Sequence, residues 1–167
     1  MSLMMKRKSV REFKDTKITE EEIKQLLQSG MQAPSAKNQQ PWEFIVVTDK
    51  DLLDKLSSMH KGSWPLKTAP LAIIPMLLPS DKSPHMTVQD VSAATENILL
   101  EAVNLDLGAV WIGVYPLEER IEHVSNIFNI KGDKLPFSMI AIGHPMNEKD
   151  VTIRYDESRV HRNNWSE

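Results

Sequence analysis

Ala33-Pro34-Ser35-Ala36-Lys37-Asn38-Gln39-Gln40-Pro41-Trp42 lies between a helix-like pattern that stops just before it and the strand-like run Phe44-Ile45-Val46-Val47. Pro34 and Pro41 stiffen the backbone and keep Ala33 and Gln40 out of the helical region. The spacing predicts an extended loop of fixed shape that carries a hydroxyl and three carboxamides. Carboxamides both donate and accept hydrogen bonds, which suits a planar heterocycle with alternating N–H and C=O groups. The same residues also suit a plain polar surface loop.

Upstream of the loop, Thr19-Glu20-Glu21-Glu22 reads as a capping box at the start of a helix. Ile23, Leu26, Leu27 and Met31 form its apolar stripe, Gly30 weakens its end and Pro34 stops it. Downstream, a strand from about Glu43 to Val47 precedes a short helix around Leu52, Leu53 and Leu56, with Thr48 and Asp49 as caps. Residues 59–70 and 79–86 have loop composition, and each could serve as a lid or as a plain connection. Between them, Leu71 to Leu78 reads as a buried strand in which Pro75 removes a ladder donor, so an edge or a bulge is expected there.

The longest helix is expected from Thr87, as its cap, to Asn104, with Val88, Val91, Ala94, Thr95, Ile98, Leu99 and Ala102 on one broad buried face and Gly108 ending the segment. Ala109 to Tyr115 is apolar throughout, as in a strand buried on both faces. Gly113 inside it marks either a bulge or a place where something approaches the backbone closely. Glu118 to Phe128 reads as a helix broken by Gly132, and Phe137 to Ile142 as the last core strand. Val151, Ile153 and Tyr155 alternate as in a short strand. The polar stretch 146–167 carries spaced hydrophobic anchors, which fits an arm wrapped on another subunit or a frayed terminus. Strands alternating with helices indicate a layered α/β or α+β domain.

At 167 residues the chain has the length of one domain, and a net charge of -3 argues against a general nucleic-acid binder. With no cysteine, disulfides, thiolate metal sites and cysteine nucleophiles are excluded. The five histidines are scattered, with no metal-binding spacing, and no glycine-rich phosphate loop occurs. No apolar run is long enough to span a bilayer and the start carries no signal-peptide h-region, so a cytoplasmic protein is expected. Near the start, Lys6, Arg7, Lys8 and Arg11 surround Ser9. On a short helix Arg7 and Arg11 would share a face, and two guanidinium forks beside a hydroxyl make a phosphate clamp. The alternative is a solvated basic arm.

Taken together, these blocks resemble the nitroreductase family of FMN-dependent NAD(P)H oxidoreductases. Arg7-Lys8-Ser9-Val10-Arg11 resembles the family's Arg-x-Ser-x-Arg signature, and Ala33 to Trp42 is similar to its Ala-Pro-Ser-x-x-Asn-x-Gln-Pro-Trp loop. Gly108 to Gly113 resembles its strand beside the flavin, and Ile142-Gly143-His144-Pro145 with Arg154, Val160, His161 and Trp165 resembles its C-terminal segment. The resemblance implies an α+β, nitroreductase-like three-layer fold with a central, mostly antiparallel sheet flanked by helices. It implies one FMN-binding domain over residues 1–167 and an obligate homodimer with two FMN sites at the interface, the arm 146–167 being exchanged with the partner. Arg7, Ser9 and Arg11 would hold the phosphate and the polar end of the ring. Lys8 stands where many members have arginine. Pro34, Ser35, Ala36 and Asn38 would reach the flavin of the other subunit. Ile112 and Gly113 would present backbone to N5 and O4 of the ring. Arg154 fits a phosphate-binding arginine, while Thr152 stands where many members have lysine.

The activity this implies is ping-pong hydride transfer from NADH or NADPH, as co-substrate, through bound FMN to a nitroaromatic, quinone or related small-molecule acceptor. The flavin would carry the redox chemistry and the protein its orientation and electronics, so no side chain is assigned as acid, base or nucleophile. Three alternatives stay open. One is a flavin enzyme of the same fold with another reaction, such as dehydrogenation or dehalogenation. A second is a dimeric FMN-binding or redox-sensing module with little turnover. The third is a domain that binds no flavin.

Overall fold

The computed structural model describes residues 2–147, 150–163 and 165. A four-residue helix, α1 (Leu3–Lys6), ends at Arg7, which is already extended. Arg7 and Arg11 therefore do not share a helix face. Instead the Val10 N–H bonds the Ala109 carbonyl at 3.0 Å, and Ser9 bridges Ala109 in parallel. The cause is packing: Val10 and Phe13 are buried, and Gly108 leaves room for Val10, since a Cβ at Gly108 would lie 2.7 Å from it. Burying two such side chains, at about 1.5–3 kcal/mol each, outweighs any local helix preference of a basic stretch.

The capping box forms as expected at α2 (Glu20–Met31). Thr19 Oγ1 accepts from the Glu22 N–H at 3.2 Å, and Glu22 Oε2 accepts from the Thr19 N–H at 2.7 Å. Ile23 and Leu26 are buried, whereas Met31 is exposed at the helix end. Strand β1 (Trp42–Val47) leads to α3 (Lys50–Ser57), where Asp49 caps the Leu52 N–H at 2.9 Å. The stretch 59–70 is more ordered than its composition implied: it holds a 3-10 helix, Lys61–Lys67, that buries Ser63, Pro65 and Leu66.

Strand β2 (Leu71–Leu77) is buried throughout, and α4 (Thr87–Asn104) follows a 3-10 turn at Pro84–Met86. Thr87 is the first helical residue rather than the cap, and its hydroxyl donates to the Pro84 carbonyl at 3.0 Å. Gly108 does not end this helix but begins β3 (Gly108–Gly113). The helix α5 (Glu118–Phe128) stops at Asn129, which takes the left-handed conformation itself (φ 52°), before Gly132 is reached. Short β4 (Leu135–Pro136) and then β5 (Ser138–Gly143) complete the sheet. Among the described residues after 150 there is no strand. Ile153 and Tyr155 are 63% and 69% exposed, and the one regular turn is a 3-10 turn at Glu157–Arg159.

The sheet order is β1-β2-β5-β3, with β4 beside β2, and every strand pair is antiparallel. Pro75 sits in an interior strand, so the bulge and not the edge accommodates it. Ile73 pairs with Ile140 and Met76 with Pro136, which sets two residues of β2 against three of the opposing chain. Along β5 the side chains alternate between two cores. Ile140 and Ile142 join Ile23, Leu26, Ile98 and Leu99 under α2 and α4. Met139 and Ala141 join Leu53, Leu56, Leu66 and Val124 under α3, α5 and the 3-10 helix. This gives the three-layer α+β arrangement. No helix among the described residues is long and apolar enough to cross a membrane.

Candidate functional site

The chain's two ends meet at one cleft. Arg7 and Lys8 line a space of about 220 Å³ together with Met4, Met5, Asp150, Val151, Thr152 and Arg154. Lys8, Asp150 and Val151 also line an adjoining cleft of about 490 Å³ bounded by Val10, Leu107, Gly108 and Pro145. Arg7 is half-buried, and its Nε lies 3.6 Å from Glu96 on α4. A half-exposed pair at that distance stabilises by under about 1 kcal/mol, and it leaves the rest of the guanidinium fork for another acceptor. Two guanidiniums and an ammonium, drawn from distant parts of the sequence, give the cleft an excess of positive charge that suits an anion, moderated by Asp150. Thr152 adds a hydroxyl but no charge. Ser9 is half-buried beside this cleft in sequence and bonded into the sheet edge. Arg11 is exposed and borders a separate small recess with Val10, Glu12 and Asn147, not the Arg7 cleft.

The loop 33–42 has a fixed shape, but it is folded rather than extended. A 3-10 turn at Ala36–Asn38 contains Lys37 and Asn38 at φ 51°, and Gln40 follows at φ 48°. Three side-chain-bearing residues in the left-handed region cost on the order of 1 kcal/mol each or more. Side-chain bonds hold them. The Asp90 carboxylate, buried in the first turn of α4, accepts from the Ala36 N–H at 3.0 Å and from Gln39 Nε2 at 2.6 Å. Gln39 Nε2 also donates to the Ser83 carbonyl (3.0 Å), Lys37 Nζ to the Lys82 carbonyl (2.8 Å), and the Gln40 N–H to Ser35 Oγ (3.0 Å). The strand-side anchor is Trp42, packed with Ala33, Leu77, Val91, Ala94 and Phe137.

At the end of β3, Ile112 sends its side chain into the core under α3 and α5, while Gly113 is half-exposed. Its register with Ser138 continues that of the strand, so no bulge is present. A Cβ at Gly113 would meet nothing within 4 Å. The space over its backbone is open, which suits a flat group laid there. Arg120 Nη1 donates to the Gly113 carbonyl at 2.8 Å. Four buried polar atoms around this strand end have no hydrogen-bond partner: Arg120 Nε, His60 Nε2, Ser63 Oγ and, on the residue paired with Gly113, Ser138 Oγ. Burial first, and the Arg120 charge second, hold the His60 imidazolium below its ordinary value, against a smaller upward pull from Glu119.

Of the residues picked out from the sequence, Arg7, Lys8 and Arg154 share a cleft. Pro34, Ser35, Ala36 and Asn38 lie elsewhere in the same chain: their loop bonds Asp90 on α4, whereas Arg7 reaches Glu96, six residues and about 9 Å further along the helix. Asp90 and Arg120 were not anticipated. A single acidic residue in a first turn and an arginine on an amphipathic helix both read as ordinary surface charges. Only the fold shows that one holds a strained loop and the other a strand end.

A model of the Nitroreductase family matches residues 4–78 and 65–144. A protein of Archaeoglobus fulgidus, provisionally named NADH dehydrogenase/NAD(P)H nitroreductase, is 41% identical over 99% of this chain and 98% of its own length. The crystal structure of a provisionally named NADH oxidase from Clostridium acetobutylicum is 46% identical. It superposes with a TM-score of 0.93 over 98% of this chain and all of the other. An FMN-dependent nitroreductase from Clostridium difficile is 31% identical, with a TM-score of 0.91 over 98% of both chains.

Proposed function

Because the chain belongs to the nitroreductase family, we propose that it is an FMN-dependent oxidoreductase that takes hydride from NADH or NADPH and reduces a nitroaromatic, quinone or related small-molecule acceptor. The observation that carries this reading is the cleft lined by Arg7, Lys8 and Arg154. A phosphate monoester is the ligand that such a set of charge-assisted donors suits best.

The residues present fit FMN. The cations supply an anion pole, and the open backbone face at Gly113 supplies room for a ring. When bound, FMN would supply the redox step, accepting hydride from the nicotinamide and yielding it to the second substrate in ping-pong order. The chain's own part is binding and orientation. Arg7, Lys8 and Arg154 would neutralise and hold the phosphate, with the Ser9 hydroxyl beside them, and Arg11, which borders a separate recess, would serve the polar end of the ring. Ile112 and Gly113 would present backbone to the ring. No side chain is required as a nucleophile.

The loop residues Pro34, Ser35, Ala36 and Asn38 would complete the site of a second subunit, in a homodimer whose arms, residues 146–167, cross over. Two features support this. The loop and the Arg7 cleft do not meet within one chain. Ile153, Tyr155, Val160 and Trp165 are exposed in the single chain at 63%, 69%, 41% and 79%, as anchors seeking another surface would be. Steady-state oxidation of NADH and NADPH by a quinone, with and without added FMN, tests the activity. Turnover that requires FMN supports it, and bound FMN without turnover would favour a redox-sensing module instead.

A further inference from the structure

We infer that Asp90 is a positioning residue that sets the shape of the 35–40 loop through Gln39, and so prepares the face this loop offers to the ligand; the link to the ligand rests on the flavin reading above. Four observations carry it.

The loop holds Lys37, Asn38 and Gln40 at positive φ, a shape that relaxes unless it is tied down. The tie is Asp90, 6% exposed and mounted on the longest helix of the fold. Each of its oxygens takes one loop donor: Oδ1 the Ala36 N–H at 3.0 Å, Oδ2 the Gln39 Nε2 at 2.6 Å. A carboxylate only accepts, so it dictates which way the Gln39 amide points. Both contacts of Gln39 Nε2 are then fixed, the second being the Ser83 carbonyl at 3.0 Å, and Gln39 Oε1 is left buried without a partner.

The consequence is a rigid joint between two segments distant in sequence. Gln39 lies between Asn38 and Gln40. It does not need to touch a ligand itself. By bridging Asp90 and Ser83 it locks the loop to the segment 79–86, and Lys37 adds a second link to Lys82 at 2.8 Å. The loop and that segment are therefore held in one arrangement before any ligand arrives, which lowers the ordering cost of binding.

The test compares wild type with Asp90→Ala, Asp90→Asn and Gln39→Ala by two readouts: amide hydrogen exchange of the cofactor-free protein, and FMN affinity from quenching of flavin fluorescence. Asp90→Ala is expected to speed exchange at Ala36 and its neighbours about tenfold or more while β5 amides stay unchanged, and to weaken FMN about tenfold, the scale of one charge-assisted hydrogen bond. Asp90→Asn keeps an acceptor for the Ala36 N–H but turns an amide N–H toward the Gln39 donor, so it should recover only part of both effects. If Asp90→Ala does not fold, Gln39→Ala, which changes a loop side chain, carries the same expectation. Unchanged exchange in the loop overturns the proposal, whatever happens to FMN affinity. Equal acceleration in β5 also overturns it, as that marks general destabilisation. A wild type that binds no FMN would defeat the flavin reading alone, because the exchange measurement needs no cofactor.

Discussion

Arg120 Nη1 and the Gly113 carbonyl lie 2.8 Å apart, tying the first turn of α5 to the last residue of β3. That carbonyl therefore already accepts one hydrogen bond from a charged donor. Arg120→Met removes a charged hydrogen bond and should lower stability by about 1.5–3 kcal/mol, partly offset because the buried, unpartnered Nε disappears with it. Urea unfolding of the two proteins measures the difference.

The same arginine bears on His60. With its folded value below the ordinary 6.5, the unfolded chain takes up the proton first as pH falls. The contribution of neutral His60 is therefore complete above pH 6.5 and lost as pH drops from there through the lower folded value. An NMR titration of the His60 ring in the wild type should show a midpoint below 6.5. In Arg120→Met the midpoint should move up, because one of the two causes of the depression is gone.

Gly113 and Gly108 should respond in opposite ways to the same added methyl group. At Gly108 a Cβ would sit 2.7 Å from the branched carbon of Val10, which cannot swing aside, so Gly108→Ala should cost about 1–3 kcal/mol of stability. At Gly113 a Cβ meets nothing, so Gly113→Ala should unfold like the wild type. A flat ring over that residue would meet the new methyl, and FMN affinity should fall about tenfold. Denaturant unfolding and flavin-fluorescence quenching, run on both variants, separate the two effects.

The capping box of α2 carries its own pH dependence. Hydrogen bonds from the Thr19 side chain, and then from its backbone, hold the Glu22 carboxyl below its ordinary 4.5. Its contribution is present above pH 4.5 and is lost as pH falls through the lower folded value. Thr19→Ala should cost about 1 kcal/mol near neutral pH. That difference should shrink in urea unfolding carried out below the Glu22 midpoint.

Much of this structure was legible because its signals are local. Thr19 to Glu22 spell a helix start, the spacing from Val88 to Ala102 a buried face, and the apolar run from Ala109 a strand. Pro75 announced an edge or a bulge without deciding between them, and the strand around it lies inside the sheet. That depends on which strands flank β2, a long-range matter. A helix through Arg7 and Arg11 suits the side chains of that stretch, but the helix ends at Lys6 because Val10 and Phe13 are drawn into the core by surfaces more than ninety residues away in sequence. The loop 33–42 was recognisable from its prolines and amides. Its left-handed turn was not, because the residue that holds it, Asp90, lies fifty residues downstream and carries no pattern of its own.

The measurement that tests the central claim most directly is the visible absorption spectrum of the purified protein, taken before and after adding FMN and dialysing. The account predicts a flavin spectrum retained at about one FMN per subunit, and loss of most of it in Arg154→Ala, which removes one cation of the phosphate cleft. A protein that is colourless again once added FMN has been dialysed away would contradict the account and leave the cleft lined by Arg7, Lys8 and Arg154 without its proposed ligand.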